Sequence, residues 1–244
     1  MSQRPVVALV QARMGSARFP GKMLTSLGGR PLIDWVLTRL ARAKRLDSTI
    51  LATTDRAPDD VLAEAANRLG AGVFRGSEDD VLERFANAAA ASGARTVLRV
   101  CADNPFVDPG EVDRLVDAYL EGQVDYACNH LDCLGGGYPD GFGAEILDAK
   151  LLADAVDRFS APRYREHVTL FCREHPADYR LLAVPAPSEL AFPSLRFDVD
   201  RPADLAYLEQ LVNLGVTVGT PAADIAKLAR DLEAHAGVRH PSAS

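Results

Sequence analysis

The chain is poor in the features that most readily classify a protein. Its four cysteines, Cys101, Cys128, Cys133 and Cys172, form no Cys-x-x-Cys pair, so neither a dithiol redox motif nor a zinc ribbon is present. Cys128, His130 and Cys133 lack a fourth ligand at a zinc spacing, and the two thiols read as buried or incidental. No signal sequence precedes Val6, and a reduced, cytoplasmic protein is expected. No apolar run is long enough to cross a membrane. No internal repeat or flexible linker divides the chain. Two phosphate signatures are missing as well. Gly15 and Gly21 enclose five residues rather than four, and Met23 rather than Ser or Thr follows Lys22, so a Walker loop is excluded. The dinucleotide pattern G-x-G-x-x-G does not occur.

What is present is ordinary globular composition over 244 residues, 48% hydrophobic and 25% charged, enough for one large α/β domain or two small ones. The net charge of −7 argues against a general nucleic-acid binder. Its distribution is uneven. Among residues 1–45, Arg4, Arg13, Arg18, Lys22, Arg30, Arg39, Arg42, Lys44 and Arg45 face a single acid, Asp34, while the remainder is strongly acidic. Arg39, Arg42, Lys44 and Arg45 read as the wet face of a helix. The stretch "VALVQARMGSARFPGKML" differs, because Arg13, Arg18 and Lys22 follow a short apolar run on a Gly-bracketed loop. Such a loop suits a small polyanion, most simply a row of phosphates. Lys22 is expected to face solvent.

Apolar runs "PVVALVQ", "STILATT", "GVFRG" and "TVLRV" read as buried strands. Between them lie helices that start at Pro31, at Pro58, at a capping box of Ser77 with Asp80, and at Asp108-Pro109. This alternation predicts a single doubly wound, mostly parallel α/β sheet over residues 1–235, with 236–244 as a flexible tail. Ligands in such sheets bind beyond the carboxyl ends of the strands, which selects the loops Gln11–Lys22, Thr53–Asp55, Arg75–Ser77 and Cys101–Asp108. Further on, "VDYACN" and "DYRLLAV" read as strands and "PRYREHVTLFCREH" as a helix. "LGGGYPDGFGAEIL" holds too many turn residues for one strand.

Two acidic clusters follow strand-like runs. Asp103 lies in "RVCADNPFVDP". Asp198 and Asp200, two apart in "LRFDVDRPADL", are expected on one face of an extended segment. Carboxylates beside a phosphate loop repel its ligand unless a divalent cation intervenes, and Mg²⁺ suits one or two carboxylates plus phosphate oxygens. The competing reading makes Asp103, Asp108 and Asp200 helix caps. The metal reading requires the Asp103 and Asp200 carboxylates to face one cavity, within about 8 Å of each other.

The ordered motifs "VQARMGSARFPGKML…LGGRPLIDWVLTRL", "ATTD", "VFRGSEDDVLERF", "YPDG", "REHVT" and "RFDVDRPADL" resemble the spore-coat polysaccharide type F cytidylyltransferases. These are similar to the acylneuraminate and 3-deoxy-manno-octulosonate cytidylyltransferases. The resemblance spans about residues 6 to 214. It implies a fold of the nucleotide-diphospho-sugar transferase type and transfer of CMP from CTP to a small acceptor, with Mg²⁺ and release of pyrophosphate. By position, Gln11, Ala12 and Arg13 would line the nucleotide site, with Gly15, Ser16, Arg18 and Lys22 around the triphosphate. Thr53, Thr54, Asp55, Arg75, Gly76 and Ser77 would flank base and ribose. Asp103 and Asp200 match the metal aspartates, with Asp198 as a further ligand. Tyr138, Asp140, Glu145, Glu166 and His167 would face the acceptor, His167 as a candidate proton acceptor. The resemblance also implies a homodimer, with a contact sought in Leu134–Leu147. Two departures, "CADNPFVDP" and Gly143 within "DGFGAEI", leave the acceptor open: a sugar acid, another sugar derivative, or a phosphorylated or phosphonate compound. A sugar-nucleotide-dependent glycosyltransferase and a non-catalytic nucleotide-binding protein are the alternatives.

Overall fold

The computed structural model describes residues 5–130 and 134–241; Cys133 lies outside them, and with it the thiol–histidine trio considered above. In chain order the elements are β1 (Val6–Gln11), β2 (Ser26–Leu27), β3 (Arg30–Pro31), α1 (Leu32–Leu40), β4 (Ser48–Thr54), α2 (Asp60–Arg68) and β5 (Gly72–Gly76). Then come α3 (Val81–Ser92), β6 (Thr96–Cys101), α4 (Pro109–Gly122), β7 (Tyr126–Cys128), β8 (Glu145–Asp148), α5 (Ala149–Arg158) and α6 (Pro162–Glu166). The last are α7 (Leu170–Glu174), β9 (Leu181–Ala183), α8 (Pro202–Asn213) and α9 (Ala222–Ala236). Seven strands make one sheet in the order β5-β4-β1-β6-β8-β7-β9, while β2 and β3 form a separate small hairpin. β8 alone runs against its neighbours β6 and β7. The sheet is therefore mostly parallel and mixed, as the strand–helix alternation predicts.

The runs that form β1, β4 and β6 are mostly apolar because helices cover both faces. Ile33, Val36 and Leu40 of α1 and Leu115 and Val116 of α4 pack on one face. Leu82 and Phe85 of α3, Leu152 of α5 and Phe171 of α7 pack on the other. A third cluster joins Trp35, Phe106, Tyr138, Phe142 and Phe197 to α8 and α9. The chain leaves β1 toward β4 and β5 on one side and returns to β6 on the other. That reversal opens a crevice at the carboxyl ends of β1 and β6, where such sheets bind ligands.

The Gly-rich stretch is not one strand, as expected, and only its end enters β8; four other expectations need correction. Gly143 lets the chain pass close to the end of β7. A Cβ at Gly143 would sit 1.9 Å from the Asn129 carbonyl oxygen. The helix expected over "PRYREHVTLFCREH" is two short ones, α6 and α7, broken at His167–Thr169. The cap of α3 is Asp80, which accepts from Glu83 N, whereas Ser77 Oγ accepts from Asp80 N. Asp108, by contrast, does cap α4. The stretch after α9 is no free tail up to residue 241: His240 is buried and its Nε2 bonds Asp198 O at 2.9 Å. Most of Leu134–Leu147 is consumed by the core too. Tyr138, Phe142, Ala144 and Ile146 are buried, so 138–147 offers no face to a partner subunit.

Candidate active site

A cavity of about 810 Å³ opens at the β1/β6 crevice. One wall is the loop after β1, with Gln11, Ala12, Arg13, Ser16, Arg18 and Lys22 on the cavity. The loop is folded by its own backbone. Ser16 N and Gly21 N both bond Met14 O, and Gly21 takes φ 73°, a left-handed turn open to glycine at little cost. Asp59, buried behind the loop, accepts from Met14 N at 2.7 Å and from Thr54 N. Gly15 lies at the rim beside Glu78, outside the lining itself.

Asp103 and Asp200 meet here although they are far apart in sequence. Val199 N donates to Asp103 O at 2.8 Å, which places Asp200 next to Asp103. Lys22 Nζ then lies 3.2 Å from Asp103 Oδ2 and 3.4 Å from Asp200 Oδ1, and bonds Val199 O at 2.7 Å. Two carboxylates bonded to one ammonium lie within the about 8 Å expected of a shared ion. Arg18 adds a 2.9 Å contact to Asp200. Lys22 is therefore buried rather than solvent-facing. Asp200 is not a helix cap: Asp204 accepts from the backbone N–H of both Asp200 and Arg201, and the Asp200 side chain is left for the cavity.

The opposite wall comes from the α3 and α5–α6 ends: Glu78, Asp79, Asp80, Val81, Arg84, Ser160, Pro162, Arg165, Glu166 and His167. Arg165 ties α6 to α3 through Asp80 at 2.8 Å. Glu166 and His167 are exposed on this wall. The floor is Arg99 and Cys101. Burial pushes the Cys101 thiol up to about 12, against the pull of Arg99, so it stays protonated at neutral pH and is no thiolate nucleophile.

Several expected residues lie elsewhere. Thr53 and Thr54 are buried, Asp55 N bonds Gly76 O, and Ser77 supports the start of α3. Arg75 spends its donors on Thr54 O, Arg56 O and Asp60. Glu78, Asp79, Asp80, Val81 and Arg84 line the cavity instead. Tyr138 is buried against Glu111, and Glu145 against Arg99, Thr169 and Tyr126. Asp140 and Asp198 share Arg196, at 3.1 and 2.9 Å, and neither lines the cavity. Residues 197–199 form no regular strand, so the two-residue alternation that would put Asp198 beside Asp200 does not operate. Arg84, Arg99 and Arg165 were not anticipated. Arg99 carried a signal, a lone charge inside the apolar run "TVLRV"; Arg84 and Arg165 carried none.

A divalent cation fits Asp103 and Asp200 but not Asp198. The first two are hard oxygen donors, partly open, and already converge on a cation, the Lys22 ammonium. Among the described residues no set of three or more His, Cys, Asp or Glu side chains forms a metal cage. An ion here would need oxygens from a ligand. A hollow of about 990 Å³ between Tyr119, Asp125, Asp148, Lys150 and Arg180 is larger. It lies at the wrong end of the sheet, and its Arg180–Asp125 and Lys150–Asp154 charges are already paired.

The sequence profile of the cytidylyltransferase family matches residues 7–234. The chain belongs to that family. It is 36% identical over 212 residues to the spore coat polysaccharide biosynthesis protein SpsF of Bacillus subtilis, covering 84% of this chain and 85% of that protein. A cytidylyltransferase from Leptospira borgpetersenii superposes with a TM-score of 0.89 at 25% identity, over 98% of both chains. A CMP:2-keto-3-deoxy-manno-octonic acid synthetase in complex with CTP shares the fold, with a TM-score of 0.64 at 17% identity over 87% of this chain and all of that one. No helix among the described residues is long and apolar enough to cross a membrane.

Proposed function

We propose that this cytidylyltransferase transfers CMP from CTP to a small acceptor bearing a nucleophilic oxygen, in polysaccharide biosynthesis, and releases pyrophosphate. The observation that carries the reading is the convergence of Lys22, Arg18, Asp103 and Asp200 at the mouth of the β1/β6 crevice. In the reaction the acceptor oxygen bonds to the α-phosphorus, the bond from that phosphorus to the β-bridging oxygen breaks, and the hydroxyl proton passes to a base. His167 and Glu166, exposed on the acceptor wall, are the groups in place to take it. Arg18 and Lys22 offset charge on the departing pyrophosphate. Positioning and electrostatics supply most of the catalysis.

The charges of Lys22, Arg18, Asp103 and Asp200 balance one another. Admitting a triphosphate leaves uncompensated negative charge unless a cation enters with it, and Asp103 and Asp200 are the residues that would hold Mg²⁺. When bound, that ion supplies charge neutralisation at the phosphates. A glycosyltransferase using both acids of an Asp-x-Asp pair would need Asp198 in the cavity, and Asp198 is turned to Arg196. Incubation with CTP, Mg²⁺ and a panel of sugar acids, followed by pyrophosphate assay, tests the reading. Release that depends on acceptor and stops with EDTA supports it. No release with any acceptor, or release indifferent to EDTA, counts against it.

A further inference from the structure

Gln11 and Arg99 occupy neighbouring strands with their side chains on one sheet face. Gln11 pairs in register with Cys101, and Leu9 with Arg99. Arg99 pairs in turn with Glu145 on β8. Because side chains alternate along strands, Gln11, Arg99 and Glu145 point the same way, toward the cavity side of the sheet. Arg99 Nη2 donates to Gln11 Oε1 at 3.1 Å, and Nη1 bonds Glu145 Oε2. Glu145 is 1% exposed, and its other oxygen accepts from Thr169 Oγ1 at 2.6 Å and from Tyr126 Oη. Burial alone would raise the Glu145 carboxyl, but the Arg99 guanidinium, with hydrogen bonds from His130 and Thr169, holds it well below the usual carboxylate range. The anchor is therefore charged.

A guanidinium has donors and no acceptor, so the amide atom facing Arg99 must be the oxygen. The nitrogen then faces the cavity. Among the described residues Nε2 has no protein acceptor. We infer that Arg99 and Glu145 are positioning residues that lock the Gln11 amide oxygen-inward, so that Gln11 offers the nucleotide only N–H donors and recognises an oxygen that can only accept. Such an oxygen is a base carbonyl or a phosphate oxygen. The inference rests on the nucleotidyl-transfer reading and goes beyond it by giving the buried ion pair a role in recognition.

Binding alone tests it, by calorimetry with Mg²⁺ and two probes, CTP and inorganic tripolyphosphate. Gln11→Glu keeps a partner for Arg99 but replaces the donors with an acceptor. It should weaken CTP binding at least about tenfold, and more than Gln11→Ala does. A loss confined to CTP assigns the contact to the base carbonyl, and a loss with both probes assigns it to a phosphate oxygen. The double variant Arg99→Met/Glu145→Gln removes the pair without stranding a buried charge and frees the amide to turn. It should weaken CTP binding several-fold while circular dichroism stays unchanged. Equal CTP affinity in wild type and Gln11→Glu overturns the inference, as does unchanged affinity in a folded double variant. If the double variant does not fold, Gln11→Glu decides alone. Wild-type protein that binds neither probe overturns the nucleotidyl-transfer reading itself, and this inference with it.

Discussion

Two basic side chains in this protein each hold a pair of aspartates, and the two arrangements differ in every respect that matters for chemistry. Lys22 lies between Asp103 and Asp200, whose side chains are 31% and 26% exposed on the cavity. Arg196 lies between Asp140 and Asp198, which are 11% and 10% exposed. The arginine binds Asp198 with both arms of its fork, at 3.0 and 2.9 Å, and so occupies both of its oxygens. The lysine is a point charge on a flexible stem, and its aspartates keep open oxygens. An aspartate beside a phosphate loop is thus available for a metal or a ligand only when its own cation can let go. The first cluster meets that condition and the second does not.

Removing the open carboxylates gives the largest contrast. Asp103→Asn and Asp200→Asn should each lower pyrophosphate release at least about 100-fold while the fold survives, since the lost carboxylate is the one that would hold the cation neutralising the phosphates. Asp198→Asn should cost less than about tenfold in turnover and show its effect in stability instead. Equal losses in all three variants, measured with CTP at saturation, would erase the distinction between the clusters.

Lys22→Met probes the open cluster from its other side. Turnover should fall by about 100-fold, the scale of one charge-assisted contact to a developing anion. Stability should also fall, by about 1–2 kcal/mol in urea, because Val199 O loses its donor and two carboxylates lose their shared cation. A variant with wild-type stability would mean that Lys22 is as free as its place in the sequence suggested.

The regular half of the fold was legible because its central strands are covered on both faces, so β1, β4 and β6 read as short, mostly apolar runs, and the edge strand β5 as a short run bounded by glycines. The basic loop was legible for a similar reason: charges and glycines directly behind a buried strand have few structural uses. Asp103 and Asp200 could be paired in advance because each follows a strand-like run. Asp198 misled because alternation holds only in a true strand, and residues 197–199 are held by single bonds to separate partners. Arg75 and Thr54 misled because their hydrogen bonds close between β4, β5 and the turn at Asp59, contacts that no local pattern encodes. β8 was hidden by the glycines and proline ahead of it, and the break between α6 and α7 has no Gly or Pro to announce it.

The smallest effect, and the most specific to the closed cluster, concerns Asp140. Burial, and then the neighbouring Asp198, push its carboxyl up to about 6, from an ordinary 3.8. A carboxyl raised in the folded state binds its proton more tightly there than in the unfolded chain. Its contribution is fully present below about pH 4 and is lost as pH rises through about 6. Above that the folded protein carries a buried carboxylate competing with Asp198 for one guanidinium. Asp140→Asn keeps the shape and removes the competing charge. It should stabilise the protein by about 1–2 kcal/mol at pH 7.5, less than the shift alone would give because Arg196 loses a charged partner. Near pH 4 the gain should vanish, since the wild-type carboxyl is then neutral too. Urea titrations at the two pH values measure this directly. A gain of equal size at both would show that the group is not titrating in the window, and a loss at pH 7.5 would show that Arg196 needs both aspartates, making the closed cluster a true triad.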